Sequence, residues 1–171
     1  MTAKKRQFFS PFILLTLYLI FFVPGCWMYS FQGGGPPADV QKIAVTLFAN
    51  QTDQVGLSEG LATRITERLV SDGRLSVVTE AAADAILTGT VTGYDLKPFT
   101  YDQSGQVQQY QVKVRVTCRL ERVKTGAILW NGGQLENWGV YANVTEQESK
   151  GREAALTKLG EDIYNGLFST W

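Results

Sequence analysis

Two thiols and one run of cations are the groups in this 171-residue chain whose types and spacing have chemistry to offer. There is no histidine. That removes the commonest general base, the Ser-His-Asp arrangement and the commonest metal ligand together. Cys26 and Cys118 are the only cysteines, too few for a thiolate metal cluster. The paired carboxylates read as solvated groups: Glu161-Asp162 on the outside of a helix, Glu146 and Glu148 at a helix cap. Gly33-Gly34-Gly35 and Gly132-Gly133 lack the lysine and serine or threonine that a phosphate-cradling loop needs. These residues point to no enzyme, no metal and no cofactor.

Cys26 stands where a leader ends. Lys4, Lys5 and Arg6 are followed by an apolar run over residues 8–23, and Gly25 precedes the cysteine. This is the anatomy of a cleavable signal peptide. The apolar run is also close to spanning length, so an uncleaved anchor is the competing reading. Val23-Pro24-Gly25-Cys26 resembles the lipobox of bacterial lipoproteins. That resemblance implies a covalent lipid on Cys26. Several acyl chains, at about 0.8 kcal/mol per buried CH₂, would hold the chain to a membrane stably. The expected organisation is a signal peptide over 1–25, a lipidated N-terminus and spacer over 26–37 and one domain over 38–171. Gly33-Gly34-Gly35-Pro36-Pro37 supplies the flexible part of the spacer.

Removing the leader's three cations leaves 13 basic against 16 acidic residues, a net of −3. Residues 97–124 run against that balance. Lys97, Lys113, Arg115, Arg119, Arg122 and Lys124 face only Asp102 and Glu121 there. Lys113, Arg115 and Arg119 alternate with Val112, Val114, Val116 and Cys118, so a strand would put the cations on one face and the apolar groups on the other. Cys118 then reads as a small buried hydrophobe. The cationic face has two readings. It is a solvated surface that discourages edge aggregation, or it binds anions. In a cell envelope the available anions are lipid and glycolipid phosphates rather than nucleic acid.

The elements that would position these groups follow from periodicity. Residues 43–48 are a near-continuous apolar run and read as a buried strand. Leu57, Leu61, Ile65 and Leu69 recur every four residues, the stripe of an amphipathic helix that Asp72-Gly73 stops. Residues 75–79 and 86–96 read as strands, 98–109 as a polar hairpin connection tipped at Asp102-Gln103-Ser104-Gly105, and 110–122 as a strand. Residues 127–141 are a further strand with a bulge at Gly132-Gly133. Thr145-Glu146-Gln147-Glu148 reads as a capping box opening a last helix with Ala155, Leu156, Leu159, Ile163, Leu167 and Phe168 inside. The economical fold is α+β, a two-layer sandwich of one mixed four- to five-stranded sheet with both helices on one face. Gly89 and Gly93, on one face with Leu87 and Val91, would let a helix approach closely.

Several short motifs, in order, resemble the lipopolysaccharide-assembly lipoproteins of the LptE family. They are Tyr29-Ser30-Phe31 after Cys26, Ile43-Ala44-Val45 running to Phe48-Ala49-Asn50-Gln51-Thr52, Asp72-Gly73-Arg74-Leu75, Ala83-Asp84-Ala85-Ile86-Leu87-Thr88-Gly89, the strand from Tyr110 to Leu120, and Thr125-Gly126-Ala127-Ile128-Leu129-Trp130. The resemblance covers essentially the whole mature chain. It implies a lipoprotein anchored on the periplasmic side of the outer membrane that plugs the LptD β-barrel, binds lipopolysaccharide and assists its insertion into the outer leaflet, without catalysis. In that family basic residues near the strand hairpins contact the glycolipid phosphates, which fits the cations Lys97, Lys113, Arg115 and Arg119 as the binding residues here. The second resemblance, to lipoprotein secretion-channel or cell-wall-synthase activator modules of the CsgG or LpoB kind, shares the strand-helix-strand opening. A pore of that kind needs additional membrane-spanning hairpins, for which 171 residues leave little room.

Overall fold

The computed structural model describes residues 37, 39–142 and 147–169. The leader, Cys26 and the glycine spacer lie outside the described residues, as do Thr145 and Glu146 of the expected capping box.

The chain folds as strand, helix, strands, helix. Strand β1 (Lys42–Val45) and the two-residue β2 (Ala49–Asn50) precede helix α1 (Leu57–Asp72). After it come β3 (Ser76–Val77), a 3-10 turn (Glu80–Ala82), and the long strands β4 (Ala85–Tyr101), β5 (Val107–Arg122) and β6 (Ile128–Ala142). Helix α2 (Glu148–Ser169) ends the described chain. The sheet has the order β3-β1-β4-β5-β6, with β2 also pairing β4. Strands β1, β2 and β3 pair in parallel; β4, β5 and β6 form an antiparallel meander. The mixed sheet and two-layer α+β architecture are those expected, with six strands in place of four or five.

The helices bury the stripes read from their spacing. Leu57, Leu61, Ile65 and Leu69 of α1, and Ala155, Leu156, Leu159, Ile163, Leu167 and Phe168 of α2, lie in one core with Leu87, Val91, Val112, Val114, Val116, Cys118 and Leu120 of the sheet. Gly73 ends α1 in the left-handed region at φ 73°, its N–H donating to the Leu69 carbonyl at 3.1 Å. This is the glycine stop that the sequence announces.

Three local expectations change. The apolar run at 43–48 does not stay one strand: the ladder breaks after Val45, and Phe48 turns its ring into the core against Gly89. A Cβ on Gly89 would lie 1.9 Å from that ring, so the glycine admits Phe48 rather than a helix. Gly93 does not share the face of Val91. Val91 pairs with Val116 and Gly93 with Arg115, so Thr92 is an extra residue that flips the alternation. Strands β4 and β5 also run into the expected connection. The turn is short, with Asp102 Oδ1 accepting from the N–H groups of Ser104 and Gln106 at 2.8 and 2.9 Å.

Candidate functional site

Among the described residues, the helices cover one face of the sheet only. Alternation places Thr88 and Thr90 of β4, Lys113, Arg115, Thr117 and Arg119 of β5, and Gln134, Glu136 and Trp138 of β6 on the uncovered side. After the Thr92 bulge, Asp95 and Lys97 join them. The four cations singled out from the sequence therefore share one face, as the alternation of β5 requires. They do not form one site. Lys97 stands opposite Gln111, eight residues before Arg119, which at ~3.3 Å per residue separates the two by roughly 26 Å.

Their electrostatic surroundings also differ. Lys113 Nζ donates to Glu136 Oε1 of β6 at 3.1 Å. Arg115 Nη1 donates to Asp95 Oδ2 of β4 at 2.5 Å, and its guanidinium lies over Gly93, where a Cβ would sit 2.5 Å from the side chain. The Arg115 hydrogen bond holds the Asp95 carboxyl below its usual range, with Lys97 and Lys113 adding to the effect. Lys97 is exposed near the hairpin end. Arg119 keeps a looser contact, Nε to Glu121 Oε2 at 3.5 Å, with 57% of its side chain exposed. The face thus carries four cations against Asp95, Glu121 and Glu136, a net of one positive charge. Two of those carboxylates lie outside the segment whose basicity stood out, and the pairing of strands brings them in.

Arg119 stands among further hydrogen-bonding side chains. A hollow of about 400 Å³ on the uncovered face is lined by Thr88, Gly89, Thr90, Thr117, Cys118, Arg119, Ile128 and Asn131. Its lining contains no carboxylate. The β6 bulge shapes it: Cys118 pairs with Gly133 and Arg119 with Asn131, so Gly132 is extra, and Gly133 takes φ 59°. The Gly133 N–H donates to Asn131 Oδ1 at 3.1 Å, which leaves the Asn131 amino group to donate elsewhere. A guanidinium, three hydroxyls and an amide suit an oxyanion or a hydroxylated ring, because each supplies or accepts hydrogen bonds, and Glu121, the carboxylate in contact with Arg119, lies outside the lining. The sequence reading missed Thr88, Thr90, Thr117 and Asn131. For Thr88 and Thr90 the signal was the alternation of threonines on β4, which β propensity alone also explains; Thr117 on β5 and Asn131 on β6 join them only through strand pairing.

The remaining candidates are structural. Cys118 is buried, and burial pushes its thiol up to about 12. Glu161 bonds Arg68 at 3.0 Å between the helices, and Asp162 accepts from Asn137. Glu148 accepts from the Tyr94 hydroxyl. Among the described residues no three side chains gather as a metal site, and no helix is long and apolar enough to cross a membrane.

Residues 40–169 match the model of a family described as LptE, lipopolysaccharide-assembly. Among solved structures, the chain is similar to a point variant of the PelC dodecamer from Paraburkholderia phytofirmans, with 21% identity over 79% of this chain and 93% of that one and a TM-score of 0.54. The hypothetical protein CT253 from Chlamydia trachomatis is 8% identical over 77% and 99% of the two chains, with a TM-score of 0.54. A minor lipoprotein from Acinetobacter baumannii is 15% identical over 78% and 94%, with a TM-score of 0.51. At these identities the likeness is one of fold. No curated protein is similar in sequence to this chain at a significant level.

Proposed function

Because the chain belongs to the LptE family of lipopolysaccharide-assembly proteins, we propose that it is a lipoprotein held through Cys26 on the periplasmic side of the outer membrane. There it partners the LptD β-barrel and binds lipopolysaccharide for delivery to the outer leaflet. Its work is binding and support rather than catalysis. The observation that carries the ligand part is the hollow around Arg119, where a cation and hydroxyl donors meet with no carboxylate in the lining. The phosphorylated sugars of lipopolysaccharide offer the anions and hydroxyls to match. Arg119 makes the principal contact in this reading. Lys113 and Arg115, each engaged by a carboxylate of a neighbouring strand, and the distant Lys97 contribute less.

The polar uncovered face supports the partner part. A β-barrel lumen is itself polar, so a face of threonine, glutamine, glutamate and arginine loses little by meeting it.

The test is lipopolysaccharide binding by Arg119→Glu, with Lys124→Glu in the β5–β6 turn as a control for overall charge. One exposed cation–phosphate contact is worth about 1 kcal/mol. Reversing it should weaken binding several-fold and flatten its salt dependence, while the control stays near the parent. Equal effects from both variants, or none from either, would remove Arg119 from the site.

A further inference from the structure

Strand β6 is an edge strand of 15 residues. Such an edge offers a row of backbone donors and acceptors to any other strand. Toward its C-terminal half, the outward groups of Trp138 are already taken by side chains. Lys158 Nζ of α2 donates to the Trp138 carbonyl at 2.8 Å, and its ammonium stands 5.4 Å from the centre of the Trp138 rings. The Trp138 N–H donates to Asn137 Oδ1 at 2.9 Å, and Asn137 Nδ2 donates to Asp162 Oδ2 of α2 at 2.8 Å. Both backbone groups of Trp138 thus point away from β5, and both are satisfied from the edge side.

The helix is set down on this edge by two glycines. A Cβ on Gly139 would lie 2.0 Å from the Gly151 carbonyl oxygen and 2.7 Å from the Ala154 Cβ. From that crossing, Ala154, Lys158 and Asp162 follow at four-residue spacing along one face of α2. The close approach is what brings Lys158 and Asp162 within hydrogen-bond reach of the strand.

We propose that Lys158, Asp162 and Asn137 form a clamp that closes the β6 edge against strand addition by a second copy of this chain. A second copy is the occupant the topology favours. The opposite edge runs from the two-residue β3 to the half of β4 beyond Val91, which among the described residues pairs with β5 alone, so a second copy carries complementary strands in both its β6 and its β4. β6 against β6, antiparallel about a two-fold axis, gives an extended ladder that closes as a dimer, whereas β6 against the open half of β4 would propagate head to tail. The clamp would keep the chain available to other partners, and it is independent of the glycolipid site on the sheet face.

The experiment uses the full chain in detergent, with mass read by light scattering across a concentration series. Lys158→Ala combined with Asp162→Ala opens the edge, and alanine is a favourable helix residue at both exposed positions. Dimerisation should strengthen at least tenfold over the parent. Adding Trp138→Pro to that background removes the edge N–H without costing a bond to β5 and should reverse the gain. Lys158→Met alone keeps the aliphatic stem over Trp138 and should give an intermediate effect, which guards against misfolding of the double variant. Self-association equal to the parent in folded Lys158→Met and in the folded double variant would overturn the proposal. So would a gain that the proline leaves intact, because association would then use another surface, a partner strand or detergent-exposed apolar groups.

Discussion

Side chains with similar sequence credentials end in different chemical circumstances, and the difference lies in what the neighbouring strand supplies. Lys113, Arg115 and Arg119 are spaced alike on β5, yet Glu136 and Asp95 engage the first two at short range while Arg119 keeps a long contact and opens on a hollow. Cys118, between them in sequence, faces the other way into the core. Its thiol, pushed up to about 12 by burial, is protonated at neutral pH and lacks the thiolate that reacts. We expect Cys118 in the native chain to resist alkylation at pH 8 and to react fully once the chain is unfolded in guanidinium, as followed by peptide mass mapping. Rapid native alkylation of the Cys118 peptide would mean that the β5–β6 face opens readily.

Elements were legible where one period ruled a whole segment. The four-residue spacing of Leu57, Leu61, Ile65 and Leu69 and the strict alternation from Val112 to Leu120 each describe a face that the structure buries. What stayed hidden depends on single residues or on pairings between distant segments. Thr92 inserts one position into β4 and turns Gly93 from the core side to the Arg115 side, and nothing in the local composition marks it. Asp95 and Glu136 lie outside the basic segment they neutralise, so the site's true charge appears only with strand order. Gly139 and Gly151 are 12 residues apart on different elements, and their contact is visible only once α2 is laid across β6. That contact sets a prediction. At Gly139→Ala the new methyl meets backbone at 2.0 Å, which cannot rotate away. At Gly60→Ala it meets only the end of the Leu156 side chain at 2.8 Å. Overpacking of the first kind costs about 1–3 kcal/mol. Gly60→Ala should be near neutral, since alanine also favours the helix. Urea unfolding of the two variants checks the order, and equal stability would show that α2 sits on β6 more loosely than the glycine pair implies.

At the scale of the whole molecule, the two sides of the sheet are built for different neighbours. One side is sealed by α1 and α2, whose outer surfaces carry crossed ion pairs such as Arg68 with Glu161 at 3.0 Å. Among the described residues the other side has no layer over it, and its threonines and charged groups need none for the core to be complete. A surface that contributes nothing to the core can be changed without unfolding the chain, so its role can be separated from stability. Thr117 on β5, opposite Thr90 and exposed, stands in the middle of that face. Thr157, exposed on the outer side of α2, is its counterpart on the covered side. Thr117→Trp should leave the melting temperature of the isolated chain within a degree or two of the parent, because it adds volume only toward solvent. If the uncovered face is the one seated against the barrel partner, the same variant should recover much less of that partner when the full chain is purified from envelopes. Thr157→Trp should recover the parent's amount. The reverse pattern, with Thr157→Trp losing the partner and Thr117→Trp keeping it, would place the barrel contact on the helical side. The open sheet face would then be left to the glycolipid alone.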